Sequence, residues 1–142
     1  MSRVLIVDDE KSIRVTLCEF LRNDGYEAEM AEDASAALGL LGREAFDVVV
    51  SDIVLPGMTG IELLKAVRQT APRVLVILMT GEPTVNTAAE AVRAGAFDYL
   101  CKPITKEAIL RVVRNAAKLK AVEDEREQLA QINLEYLSLI HI

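Results

Sequence analysis

The chain has 142 residues, is 51% hydrophobic and carries a formal net charge of −6, with a pI near 4.9. That length suits one core with an appendage, and the acidic balance argues against a nucleic-acid surface, because neutralising phosphates takes clustered Lys and Arg. Cys18 and Cys101 stand in no CxxC or Cys/His spacing, there is no basic leader, and no apolar run is long enough for a bilayer; disulfides, zinc, secretion and membrane insertion are not expected, and a reducing cytoplasm is.

Two apolar rhythms alternate from Met1 to about Lys118. Val4 to Val7 is a continuous apolar run ending at Asp8, Asp9 and Glu10, which predicts a strand covered on both faces. Ile13, Leu17 and Leu21 give the first helix one apolar stripe, closing at Gly25. Tyr26 to Met30 mixes polar and apolar residues, as an edge strand does. Ala34, Ala37, Leu38 and Leu41 form a second helical stripe that closes at Gly42. Val48 to Val50 is a second covered strand, followed by Asp52. Thr59 and Glu62, at a capping-box spacing, announce a helix carrying Ile61, Leu64 and Val67 and stopped by Pro72. Val74 to Met79 is a third covered strand, running into Thr80. A fourth helix starts around Pro83 and ends near Gly95. Phe97 to Cys101 is a second mixed run and a second edge, leading into Lys102 and Pro103. Thr105 caps a fifth helix whose buried face is Ile109, Val112, Val113 and Ala116.

This alternation predicts an α/β fold, a doubly wound five-stranded parallel sheet. Right-handed crossovers with the second and fifth strands at the edges give the order 2-1-3-4-5. Ligands of such sheets bind beyond the carboxyl ends of the strands, near the point where the order reverses, here between the first and third strands. The polar residues gather there: Asp8, Asp9 and Glu10 after the first strand, Asp52 after the third, Thr80 after the fourth, Lys102 after the fifth. Converging carboxylates repel, and a hard divalent cation relieves the repulsion. Oxygen ligands without His or Cys favour Mg²⁺. A carboxylate in that setting can attack phosphorus and form an acyl phosphate, with the cation and a lysine stabilising the phosphoryl oxygens.

The segments VLIVDDE, VVVSDIVLPGMTGIEL, Thr80-Gly81 and AGAFDYLCKPI together resemble the response-regulator receiver family over Ser2 to Lys118, so residues 1–118 are read as a receiver domain. The style of AGAFDYLCKP is most similar to the nitrogen-regulator type. The resemblance implies a flavodoxin-like (βα)5 fold; the strand order above is the one known for flavodoxin and a chemotaxis response regulator. It implies that Asp52 accepts a phosphoryl group from a sensor histidine kinase or phosphotransfer protein. Asp9 and Asp52 would bind Mg²⁺ directly, Asp8 largely through water, and the Val54 carbonyl would complete the protein ligands. Lys102 would pair with the phosphate, Thr80 and Tyr99 would form the switch pair, and Pro103 would follow a cis peptide. The implied chemistry is self-phosphorylation and self-dephosphorylation only, switching an output such as transcription. A Mg²⁺-dependent aspartyl-phosphate phosphatase is the alternative enzyme, but it would want a DxD pair after its first strand, where this chain has adjacent acids. A phosphorylation-independent interaction module is the other alternative, disfavoured by the intact Asp52, Thr80 and Lys102 set.

After Lys118 the sequence KAVEDEREQLAQINLEYLSLIHI lacks Gly and Pro and reads as a continuation of the fifth helix. Leu119, Val122, Arg126, Leu129, Asn133, Tyr136 and Ile140 alternate at spacings of three and four, the seam of a coiled coil. Residues 119–142 are therefore read as a helical linker that forms a homodimer and leads to an absent or separate output domain. Glu10 is read as a charge favoured at a helix start, and His141 is assigned no role.

Overall fold

In the computed structural model, which describes residues 2–140, strands and helices alternate along the described residues. The strands are β1 (Arg3–Val7), β2 (Glu27–Ala31), β3 (Val48–Asp52), β4 (Leu75–Thr80) and β5 (Asp98–Cys101). The helices are α1 (Lys11–Asn23), α2 (Ala34–Arg43), α3 (Gly60–Thr70), α4 (Val85–Ala94) and α5 (Lys106–Ile140). All strand pairs are parallel and the order is 2-1-3-4-5, as the edge-strand reading requires.

The alternation of side chains along each strand divides the core in two. Val4, Ile6, Val48, Val50, Ile77 and Met79 point to one face, where Leu17, Cys18 and Leu21 of α1 and Ile109, Val112, Val113 and Ala116 of α5 cover them. Leu5, Val7, Val49, Val76 and Leu78 point to the other, under Ala34 and Ala37 of α2, Ile61, Leu64 and Val67 of α3 and Ala91 of α4. Each such side chain, taken fully from water, contributes roughly 1.5–3 kcal/mol of burial. That is why β1, β3 and β4 tolerate almost no polar residue before their carboxyl ends.

Local chemistry sets most helix boundaries. Thr59 accepts from the Glu62 N–H, Asp33 from the Ala36 N–H and Thr105 from the Ala108 N–H. Gly25 and Gly95 take left-handed φ values of 92° and 93° just past α1 and α4. Two expectations fail. Pro83 is not in the first turn of α4, because Thr84 caps it in a reciprocal hydroxyl box with Thr87 and so leaves Pro83 one residue outside. Gly42 lies within α2, which runs to Arg43.

α5 is one unbroken helix through Lys118. Where it passes the amino-terminal end of the sheet, Arg73 pairs with Asp124 and Glu127, and Lys120 with Asp47 and Asp124. Beyond this clasp the side chains stand in solvent. The seam members Leu119, Val122, Leu129 and Tyr136 are exposed, but so are Ile132, Leu134, Leu137 and Leu139, so the apolar surface is broader than one seam. The Ile140 side chain, His141 and Ile142 lie outside the described residues.

Gly60, the first residue of α3, sits hard against the end of β3. A Cβ there would lie 2.2 Å from the Asp52 carbonyl oxygen and 2.8 Å from Ile53 Cα, both backbone. Gly60→Ala should cost about 1–3 kcal/mol, the usual overpacking penalty. Urea denaturation should show a lower midpoint at unchanged m-value; an unchanged midpoint would mean that α3 can retreat freely.

Candidate functional site

At the carboxyl end of the sheet a cleft of about 280 Å³ is lined by Asp9, Glu10, Asp52, Val54, Thr80, Gly81, Glu82 and Lys102. Strand length explains the convergence: β1 and β5 end just before Asp8 and Lys102, while β3 and β4 end on Asp52 and Thr80 themselves. Asp8, fully buried, is held through its backbone and its carboxylate. Its backbone N–H donates to the Ala31 carbonyl at 3.2 Å, its Oδ1 accepts from the Glu10 N–H at 2.9 Å, and its Oδ2 accepts from Lys102 Nζ at 2.7 Å. Lys102 Nζ donates equally to Asp52 Oδ2 at 2.7 Å, while Asp52 Oδ1 accepts from the Val54 N–H at 3.0 Å. Burial opposes the lysine's charge, but its hydrogen bonds to Asp52 and Asp8 outweigh that and raise its pKa above the ordinary lysine value.

Asp9 is exposed on the rim, and carboxylate oxygens of Asp8, Asp9 and Asp52 all lie within 4.8 Å of one another. Three carboxylates facing one ammonium leave an excess of two negative charges, the charge of one divalent cation. Thr80 is buried, and its Oγ1 accepts from the Glu82 N–H at 3.1 Å. The Lys102-Pro103 peptide is cis.

The structure thus brings Asp8, Asp9, Asp52, Val54, Thr80 and Lys102 to one place, and it leaves Tyr99 apart. The Tyr99 ring is half-buried on β5, and its hydroxyl is bonded to Thr87 Oγ1 of α4 at 2.9 Å rather than to Thr80. Sequence reasoning missed Thr87, whose only signal is its spacing of three from Thr84. It also missed Arg14, whose Nη1 donates to the Asp8 carbonyl at 2.7 Å. Glu10 is the α1 N-cap residue, but its side chain makes no capping bond. No helix among the described residues is long and apolar enough to cross a membrane.

Comparison with known proteins agrees with this geometry. Residues 4–114 match the response regulator receiver domain model. The response regulator protein FleR of Pseudomonas aeruginosa is 42% identical over 116 residues, 82% of this chain and 24% of that protein. The alginate biosynthesis transcriptional regulatory protein AlgB of the same species is 37% identical over 130 residues, 87% of this chain and 29% of that protein. The chain therefore spans about a quarter of the length of these relatives. Among solved structures, NtrX from Brucella abortus superposes with a TM-score of 0.84 at 31% identity, covering 90% of this chain and 30% of that one. With the matched segment running from β1 into α5 and enclosing the whole acidic cleft, the chain belongs to the response-regulator receiver family.

Proposed function

We propose that this chain is the phosphoryl-accepting module of a cytoplasmic two-component response regulator, with Asp52 as the acceptor. The observation that carries the reading is the Lys102 ammonium shared at 2.7 Å between Asp8 and Asp52, beside an acidic excess of two charges. The all-oxygen donor set of Asp8, Asp9 and Asp52, with Val54 also lining the cleft, fits Mg²⁺. When bound, the cation supplies positive charge to the oxygens of the transferring phosphoryl group.

An Asp52 carboxylate oxygen attacks the phosphorus of a sensor kinase's phosphohistidine, forming the P–O bond as the P–N bond breaks. The electron pair stays on the donor imidazole, which leaves neutral when its other nitrogen carries a proton. Lys102 already touches Asp52 and pairs with the new phosphoryl oxygens, and the Thr80 hydroxyl donates to one of them. The module's own catalysis is limited to this transfer and its hydrolysis. Its output is transcription control, the role named for the relative AlgB. Asp52→Asn should keep the fold and abolish phosphoryl incorporation from acetyl phosphate, as read by intact mass; undiminished incorporation would remove Asp52 as acceptor.

Switching couples Thr80 and Tyr99 to α4. The Tyr99 hydroxyl is tied to Thr87, which also completes the α4 cap with Thr84. A phosphoryl group that draws the Thr80 hydroxyl inward makes room for the ring and loosens that tie. Thr87→Val should shift amide NMR resonances of residues 82–95 and 99–104 part-way toward their phosphorylated positions without phosphodonor, and cost about 1 kcal/mol of stability. Changes confined to the α4 cap would contradict this coupling.

Residues 119–142 form the linker to an output domain and pair with a second copy through the exposed face that includes Val122, Leu129 and Tyr136. A single helix of this length is marginal alone, and a twin buries its apolar side chains. Arg126 and Asn133 at seam positions weaken the pair and set its register. Analytical ultracentrifugation should show a concentration-dependent dimer for the full chain and a monomer for a version ending at Lys118. Equal monomers across micromolar concentrations would leave 119–142 as a solvated linker.

A further inference from the structure

Asp8 and Asp9 are neighbours in sequence but are held in different ways. The Asp8 carboxylate is fixed by the Glu10 N–H and by Lys102. Asp9 sits on the rim with no hydrogen bond to its carboxylate among the described residues, so its direction is set by its backbone. That backbone has left the sheet, since β1 ends at Val7 and α1 begins only at Lys11. The peptide joining the two acids is bracketed by the Asp8 N–H to Ala31 and the Glu10 N–H to Asp8 Oδ1, and its own carbonyl is held by Arg14, half-buried on the first turn of α1, whose Nη1 donates to it at 2.7 Å. Because a peptide is planar, fixing that carbonyl fixes the Asp9 N–H and limits where Cα of Asp9 can point its side chain. A guanidinium donor makes this a charge-assisted bond, stronger than a neutral one.

We propose that Arg14 is a positioning residue of the cation site: it pins the Asp8–Asp9 peptide and so aims the Asp9 carboxylate into the cleft shared with Asp8 and Asp52. The proposal rests on the reading of these acids as a Mg²⁺ site. Arg14 touches neither the cation nor the phosphoryl group. It also gives the Asp8 carbonyl a donor, so that this oxygen does not turn toward the cleft.

Electrostatics and positioning predict opposite signs for its removal. Loss of a nearby positive charge alone would tighten cation binding. Loss of the pin leaves Asp9 mis-aimed and weakens it, by about tenfold or more, as when the partner that orients a ligand is removed. The experiment is an amide-NMR titration with Mg²⁺ alone on the full chain, without phosphodonor. The parent is compared with Arg14→Met, Arg14→Gln and the control Lys11→Met, which removes an exposed charge from the same turn. Met keeps the apolar stem and Gln keeps a polar group, so failure of one variant to fold leaves the other to decide. Urea midpoints monitor the fold, and exchange of the Glu10 amide in the metal-free protein reports the loop directly. The expected result is weakened Mg²⁺ binding and faster Glu10 exchange in the folded Arg14 variant, with Lys11→Met unchanged or slightly tighter. Mg²⁺ affinity unchanged or increased in the Arg14 variants overturns the positioning role. A parent that binds no Mg²⁺ overturns instead the reading of the acids on which it stands.

Discussion

The Lys102 ammonium is the interaction on which the carboxyl edge of this sheet depends. Asp8 and Asp52 are almost wholly buried on adjacent strands, and two carboxylates brought that close out of water repel with little screening. Lys102 reaches them from the far side of β4, so one side chain ties together what β1, β3 and β5 deliver. Breaking a buried pair of this kind typically leaves a charge uncompensated at a cost of about 3–5 kcal/mol. The ion pairs at the opposite end of the sheet, among Arg73, Asp124 and Glu127, are largely exposed and contribute far less each. Buried charge among the described residues is therefore confined to the carboxyl end of the sheet.

The same lysine leaves the site two charges short of neutrality. Asp9, on the rim, remains outside its reach, and the surplus of negative charge faces the opening of the cleft. A more fully compensated site would have no electrostatic use for a cation. Gly60 serves the same arrangement from below, because only a residue without Cβ lets α3 start directly against the Asp52–Ile53 backbone.

Much of this was legible in the sequence because burial writes a simple pattern. VLIV, VVV and VLVILM could only be strands covered on both faces, and the polar residue that ends each run marks the level of the cleft. Edge strands showed themselves by mixing, as in YEAEM and FDYLC. What stayed hidden depends on long side chains crossing between elements. Nothing in the spacing of Arg14 says that it turns back to the Asp8 carbonyl, and Thr87 shows no sign of reaching Tyr99 until α4 is laid beside β5. Pro83 misled because proline suits both a first helical turn and the position before a cap, and only the Thr84–Thr87 pair decides between them. The apolar residues after Lys118 were visible, but the clasp to Arg73 that aims the helix was not.

α5 starts four residues after Lys102 and continues past the opposite end of the sheet. At 1.5 Å per residue its 35 residues make a rod about 50 Å long. It is rooted beside the cleft, and its side chains beyond the clasp are exposed. Such a rod is a lever about the Arg73 clasp: a tilt of ~10° there would swing either end through about 4–5 Å, on the geometry of a straight helix. The clasp divides the rod into arms of roughly equal length, so a displacement beside Lys102 would be returned at the other end at nearly the same size and in the opposite direction.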